Sequence, residues 1–413
     1  MFDKTLLHKG QNSPQPFEVG LPTGALNIEE KVRSNLFPWR GQFSPQFVEV
    51  LLKAYAYPQS VVLDPFMGSG TVLVESARLG HEVHGFEINP SAYVIARVYE
   101  FCNLDIQTRD EIVLKVEQVL RDIFSNYNDL PLFTEHYTKL HGSHKSLVNT
   151  IAEISQKHVQ ALLEAVLVLA NSKTKEEDPL IYWAKWKEIK DIVYSLPYSQ
   201  MKVEAHLGDA RDLRLPDHTI DFVLSSPPYI NVFNYHHNYR LAVETLGWKP
   251  LIVARSEIGS NRKFRQNRFF TVVQYCMDMA MALRELQRVC KETARIILVV
   301  GKESRVHKTP FFNGEIISAI ATHIVGYKMV LQQRRVFRNR FGQNIYEDII
   351  HLVPSGSPFR SQDEIVCDAR VFGTEILRDA RKRVPSDRLH FLTEAISRIQ
   401  EIAPSPVLDI SIA

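Results

Sequence analysis

The apolar run Val61-Val62-Leu63 leads directly into Asp64-Pro65-Phe66-Met67-Gly68-Ser69-Gly70-Thr71, and no other segment limits the fold as tightly. Pro58 ends what comes before, and a short, fully apolar run of this kind suits a strand buried on both faces. Beyond the glycines the spacing predicts a helix from Thr71 to Leu79, with Gly80 placed to cap it. Glu82-Val83-His84-Gly85-Phe86-Glu87 is then a second strand. Strand, glycine turn, helix and strand in residues 61–87 make the right-handed unit of a parallel sheet.

The remaining chain is organised around that unit. Residues 1–30 are polar and irregular, an arm expected on the surface or on a partner. Ser44-Pro45 starts a helix whose apolar stripe is Phe47, Val50, Leu51 and Ala54. Helical periodicity dominates residues 104–200, in stretches 109–126, 145–171 and 179–195, and predicts a helical insertion between the second and third strands. Strands resume at Met201–His206 and Thr219–Leu224, the latter running into Ser225-Ser226-Pro227-Pro228-Tyr229. A helix over about 272–290, a strand at Arg295–Val300 and a hairpin around Gly342-Gln343-Asn344 follow. Two helices, over about 363–383 and 387–402, occupy a C-terminal extension, residues 354–413. The expected catalytic domain is therefore 31–103 with 201–353.

Composition removes several alternatives. Hydrophobic residues make up 45% of the chain, which excludes a disordered protein. The formal net charge of +2 means that nucleic-acid binding would have to come from local patches. Four cysteines (Cys102, Cys276, Cys290 and Cys367) occur singly, without disulfide-framework or metal-ligand spacing. No apolar run reaches the roughly 18 residues that cross a bilayer. A cytoplasmic protein without a metal is the expectation.

The two strand ends carry the chemistry. Gly68-Ser69-Gly70 lets the backbone approach a ligand, and the helix N-terminus behind it favours a carboxylate. Glu87, about 20 residues past the glycines, is placed to accept hydrogen bonds from both hydroxyls of a ribose. A dinucleotide fold fits less well, because Leu73 stands where Gly-x-Gly-x-x-Gly has its third glycine. The second strand end, Ser226-Pro227-Pro228-Tyr229, presents acceptors to a planar amide or aromatic amine.

Together these motifs resemble those of amino-directed, S-adenosylmethionine-dependent DNA methyltransferases. Asp64–Thr71, with Phe66 and Thr71 among its cofactor contacts, looks like motif I, and Gly85–Pro90 looks like motif II. Asp209 matches the acidic position that pairs with the adenine amino group of the cofactor. Gly41-Gln42-Phe43-Ser44-Pro45 resembles motif X, which adds Gln42 and Ser44 to the cofactor set; Ser225, just before the catalytic turn, joins it as well. The resemblance covers roughly residues 35–100 and 201–353. It implies an α/β, seven-stranded, mostly parallel Rossmann-like sheet of strand order 3-2-1-4-5-7-6 with the seventh strand antiparallel.

Exocyclic amines of cytosine and adenine are poor nucleophiles, because their lone pair is delocalised into the ring. Ser226 Oγ and the Pro227 carbonyl are the expected acceptors for that NH2, stiffened by Pro227-Pro228, with Tyr229 stacking on a base flipped out of double-stranded DNA. The methyl comes from a sulfonium, so neither a metal nor a fixed general base is needed. Ring-carbon methylation needs a cysteine in this loop, and none is there. Serine at the head of the motif favours cytosine N4. Adenine N6, RNA guanine N2, a protein glutamine amide, and a binding subunit with a vestigial cofactor pocket stand as alternatives. Arg255, Arg262, Lys263, Arg265 and Arg268 form a basic loop suited to tracking phosphates, and Arg334, Arg335, Arg338 and Arg340 form a second basic cluster. A restriction-modification or phage-defence setting, with a cognate restriction endonuclease as partner, is implied by the resemblance alone. In many relatives the target-recognition region lies elsewhere than in an insertion between motifs II and III, which leaves the role of residues 104–200 open.

Overall fold

The computed structural model describes residues 14–124, 141–170, 179–230, 239–259, 264, 266–339 and 341–408. Its main sheet has seven strands: β1 (Val61–Asp64), β2 (Glu82–Glu87), β3 (Val203–Leu207), β4 (Ile220–Ser225), β5 (Cys290–Gly301), β8 (Lys328–Arg338) and β9 (Asn344–Val353). They lie in the order β3-β2-β1-β4-β5-β9-β8. The first five are mutually parallel, and β9 runs antiparallel to both of its neighbours. This is the expected 3-2-1-4-5-7-6 sheet, counted within itself. A separate two-stranded ribbon, β6 (Glu303–Val306) with β7 (Thr309–Phe312), has no counterpart in the sequence expectation.

Alternation along the central strands divides the core into two layers. Val62, Phe222, Leu224 and Ile297 face one apolar cluster, while Leu63, Val223, Ile296 and Leu298 face the other. The second layer is covered by the Phe269–Val289 helix, which is buried along most of its length, and by the C-terminal helices Gln362–Ala380 and Leu389–Ser397.

The insertion belongs to the first layer. Its helices are Ile106–Phe124, His141–Glu153, Lys157–Ala170 and Pro179–Ser195. The periodic stretch 145–171 thus divides into two helices at Ile154-Ser155-Gln156. Lys157–Ala170 is apolar nearly all round, and its Leu162, Val166 and Leu169 share a cluster with Val62 and Val83. Buried Arg109 donates to the carbonyls of Leu104, Val193, Leu196 and Pro197, joining the first and last insertion helices. Such packing makes the insertion a wall of the catalytic fold.

Residues 14–30 also differ from the expected surface arm. Phe17 and Leu26 are buried, and a short helix, Thr23–Asn27, lies against β8. The Gln333 side chain closes a two-way amide pair with Leu21, donating from Nε2 to its carbonyl and accepting its N–H. The Val336 N–H donates to Asn27 Oδ1. Two apolar anchors in a polar segment are too few to show a periodicity, which is why the sequence pattern points to a free arm.

Among the described residues no helix is long and apolar enough to cross a membrane.

Candidate active site

Strand order reverses between β1 and β4, and at such a switch point the carboxyl ends of a parallel sheet leave a crevice. Asp64, Glu87 and Ser225 are the last residues of β1, β2 and β4, so all three sit at this crevice. A cleft that opens to solvent lies there. Gly68, Glu87, Asp209, Ser226 and Pro228 all line it. The two loops singled out from the sequence therefore meet in one space.

The two motif glycines have separate tasks. Gly68 holds φ 52° on the cleft wall, where a Cβ would come within 3.5 Å of the Trp39 ring. Gly70 holds φ 85° at the N-cap of the Thr71–Arg78 helix, and a Cβ there would meet a Tyr99 ring carbon at 2.8 Å. Only Gly68 opens the backbone to a ligand; Gly70 admits Tyr99.

Glu87 is held from both sides. Gly68 N–H donates to its Oε2 at 3.0 Å and Asn89 N–H to its Oε1 at 2.8 Å. Asp64 Oδ1 accepts the Ser225 hydroxyl at 2.6 Å and the Phe66 N–H at 3.1 Å. Burial pushes both carboxyls up to about 7; the Ser225 and Phe66 donors oppose this at Asp64, and the Asn89 and Gly68 N–H groups oppose it at Glu87. Glu257 lies in the same wall and its charge raises Glu87 further.

Asp209 makes a two-pronged pair with Arg211, Nε to Oδ1 at 2.9 Å and one terminal nitrogen to Oδ2 at 2.6 Å. The guanidinium is fully buried, and it also reaches Asp278 Oδ1 and the carbonyls of Ser256, Ser405 and Pro406. This network bolts Asp209, the Ser256–Glu257 wall and the C-terminal tail together beneath the cleft.

Of the other expected cofactor residues, Gln42, Phe66 and Thr71 line the cleft. Gln42 accepts the Ser69 hydroxyl at 2.7 Å and donates to the Phe37 carbonyl. Ser44 is outside the lining: it caps the Pro45–Tyr55 helix, accepting the Phe47 N–H. Ser225 is fully buried and acts through Asp64.

In the Ser226–Tyr229 turn, Ser226 Oγ and the Tyr229 hydroxyl are 3.2 Å apart. Tyr275 donates its hydroxyl to the Pro228 carbonyl at 3.0 Å, pinning the turn to the Phe269–Val289 helix. The Tyr229 ring packs on Gly301, where a Cβ would meet it at 3.1 Å. Burial, with the charge of Glu347 next, drives this phenol well above its ordinary value, so it stays protonated.

Of the basic loop, Arg262, Lys263 and Arg265 lie outside the described residues. Arg255 is exposed, one residue before the Ser256–Glu257 wall, and Arg268 is half-buried. In the second cluster Arg334 pairs with Asp348 and Arg335 with Glu347, with the Arg335 guanidinium 3.5 Å from the centre of the Phe47 ring. Those two arginines brace the hairpin, and Arg340 lies outside the described residues. Trp39, Arg40, Phe86, Glu257 and Ile258 line the cleft without having been singled out from the sequence. The pair Trp39-Arg40 immediately precedes Gly41-Gln42, a signal that was there to read.

The donor set fits S-adenosylmethionine, a ligand with two positive groups and one carboxylate. Asp64, Glu87, Asp209 and Glu257 make the cleft acidic, and Arg40 is the cation among its described lining residues. Glu87 keeps lone pairs for ribose hydroxyls. Such a cofactor requires ionised carboxylates, so its affinity should fall as pH drops through about 7, by about tenfold per unit for each carboxyl that must lose a proton. The linkage for the empty protein has the opposite sign. Acids with raised folded values bind protons more tightly than in the unfolded chain, so stability falls as pH rises from the ordinary carboxylate range to about 7. Thermal melts across that window, with and without cofactor, should diverge as pH rises.

The chain is similar to several known proteins. Residues 11–97 match the N6/N4 methyltransferase family, described as DNA methylase. That segment contains β1, β2 and the Gly68–Gly70 turn. Two relatives are type II methyltransferases. One, M.MjaII of Methanocaldococcus jannaschii, is 34% identical over 106 residues, covering 25% of this chain and 20% of that protein. Another, M.BsoBI of Geobacillus stearothermophilus, is 24% identical over 267 residues, 52% of each chain. The chain thus spans about a fifth of the first relative's length and about half of the second's. Among solved structures, an S-adenosylmethionine-dependent methyltransferase of Methanosarcina mazei is similar at 12% identity and TM-score 0.33, covering 73% of this chain and 96% of that one. The PH0226 protein of Pyrococcus horikoshii has 13% identity and TM-score 0.32, covering 75% and 88%.

Proposed function

We propose that this protein transfers a methyl group from S-adenosylmethionine to the exocyclic N4 of cytosine in double-stranded DNA. The observation that supports the reading is that Gly68 and Glu87 line one cleft with Ser226 and Pro228, while Pro227 and Tyr229 of the same turn lie outside its lining. When bound, the cofactor supplies a methyl group on a positively charged sulfur.

The chain's own residues do the rest. Ser226 Oγ accepts a hydrogen bond from the cytosine amino group and favours a pyramidal nitrogen. The protonated Tyr229 hydroxyl lies 3.2 Å from Ser226 Oγ, a contact in which either can donate, and it orients the serine hydroxyl towards one rotamer. Tyr275 and the two prolines hold the turn before substrate arrives. Gln42, Ser69 and Trp39 close the cofactor side. Arg255 and Arg268, with the rest of the basic loop, supply phosphate contacts. Type II relatives support a place in restriction-modification, in the cytoplasm beside a cognate endonuclease.

Incubating the full chain with double-stranded DNA and labelled cofactor, followed by nucleoside mass spectrometry, tests this. N4-methylcytosine is expected. N6-methyladenine would move the activity to the other amine, and label found only in RNA or protein would end the DNA reading. Ser226→Ala should lower turnover by about 10²–10³-fold with cofactor affinity intact.

A further inference from the structure

On the sheet face that carries Phe86, β2 and β3 bring together side chains that the methyl-transfer site does not use. Parallel pairing sets His84 opposite Glu204 and Phe86 opposite His206, so alternate residues of both strands project on one side. His84 Nδ1 is 3.2 Å from His206 Nε2 and 3.1 Å from Glu204 Oε2, and His206 Nε2 is 3.8 Å from that same oxygen. Donor atoms of a tetrahedral zinc ion, with bonds of 2.0–2.1 Å, stand about 3.3 Å apart. The three atoms thus already have the spacing of three corners of such a site.

A second observation concerns Glu82. Its Oε1 lies 3.2 Å from His84 Nε2, and a carboxylate can only accept, so that nitrogen carries hydrogen. In the neutral ring, Nδ1 is then a lone pair facing the Glu204 carboxylate at 3.1 Å. Two acceptors at that distance repel unless a proton, shared with His206 Nε2, or a metal ion lies between them. A carboxylate on the outer nitrogen of a histidine is also the arrangement that orients metal-ligating imidazoles. The His206 ring is braced by Phe86, with centroids 4.6 Å apart and planes 24° from parallel. His84 is buried while His206 and Glu204 are part exposed, which gives an ion an entry path and leaves its remaining position to water.

We propose that His84, Glu204 and His206 bind a divalent ion of the Zn2+ class, tying the edge strand β3 to β2. The ion is structural. It would hold the strand ends that lead to Glu87 and Asp209, since Phe86 lines the cofactor cleft and Gly208 N–H donates to the Glu87 carbonyl. It departs from the sequence expectation of a metal-free protein. The two histidines are separated by 122 positions, so no local spacing could announce them.

The test uses full-length protein freed of metal by chelation, titrated with Zn2+ by calorimetry and with Co2+ by visible absorption. One equivalent should bind, with the Co2+ spectrum of a four-coordinate nitrogen–oxygen site. His206→Ala should abolish that spectrum, and Glu82→Gln should weaken Zn2+ by about 10–100-fold. Melting of each variant in chelator should match the parent in chelator, which separates ligand loss from misfolding. Absence of the Co2+ spectrum in the parent would overturn the site. Binding equal in parent and His206→Ala would overturn it too, by placing the ion elsewhere. These readouts are independent of methyl transfer, so the metal site and the proposed activity stand or fall separately.

Discussion

Glu87→Ala should weaken cofactor binding by about 10²–10⁴-fold. The carboxylate sits at the end of β2 with each oxygen already accepting one backbone N–H, from Gly68 and from Asn89. Each oxygen keeps a lone pair for one ribose hydroxyl. A hydrogen bond to a charged group contributes about 1.5–3 kcal/mol, and two of them give that range at about 1.4 kcal/mol per tenfold. Alanine also strands the two N–H groups, and the Gly68 turn loses what holds it open. Glu87→Gln separates charge from shape, keeping one acceptor and losing the ionised form; calorimetric affinity should fall about tenfold. The empty protein should gain stability from that glutamine above pH 7, because burial disfavours the glutamate charge it replaces. Unchanged affinity in Glu87→Gln would show that the cofactor's ribose lies elsewhere.

Arg211→Met should be among the most damaging single changes away from the reacting atoms, at about 3–5 kcal/mol of folding stability. The guanidinium has no exposed surface and serves two buried carboxylates and three backbone carbonyls. Removing it leaves Asp209 and Asp278 facing one another's charge in a dry site. Burial already holds Asp278 up to about 6 despite its partner. Because Asp209 and Ser256 both line the cleft, cofactor affinity should fall along with stability. Deleting residues 403–413 removes the Ser405 and Pro406 carbonyls and the Ser405 N–H on Asp278 but leaves the guanidinium between its two carboxylates, so its cost should be smaller. Denaturant unfolding of the two variants measures the difference. Equal losses would mean that the carbonyls, not the charge balance, govern the network.

What the sequence disclosed was whatever a strand end can disclose locally. Asp64, Gly68, Glu87 and Ser226 are each flanked by neighbours that fix their place, and all four belong to one site. The strand order came through resemblance and agrees with the observed sheet. Contacts between distant segments were hidden. Nothing near Arg211 announces that its charge would meet Asp278 and the carbonyl of Ser405, 194 residues away. Ser44 and Ser225 were legible as polar groups beside the site, but whether they face the cleft depends on helix capping and on Asp64. The ribbon β6–β7 escaped because its four-residue strands, joined through His307 and Lys308 at positive φ, lack the glycine or asparagine turn that marks a hairpin.

The two-way amide contact between Leu21 and Gln333 spans 312 positions. On a ribosome that emits the chain from its amino end, the leading segment is exposed long before β8 exists to receive it. The Phe17 ring meets Tyr55 of the Pro45–Tyr55 helix early, whereas the Gln333 and Val336 contacts wait for β8. The docking on β8 covers a sheet edge that would otherwise offer free backbone groups to a neighbouring nascent chain.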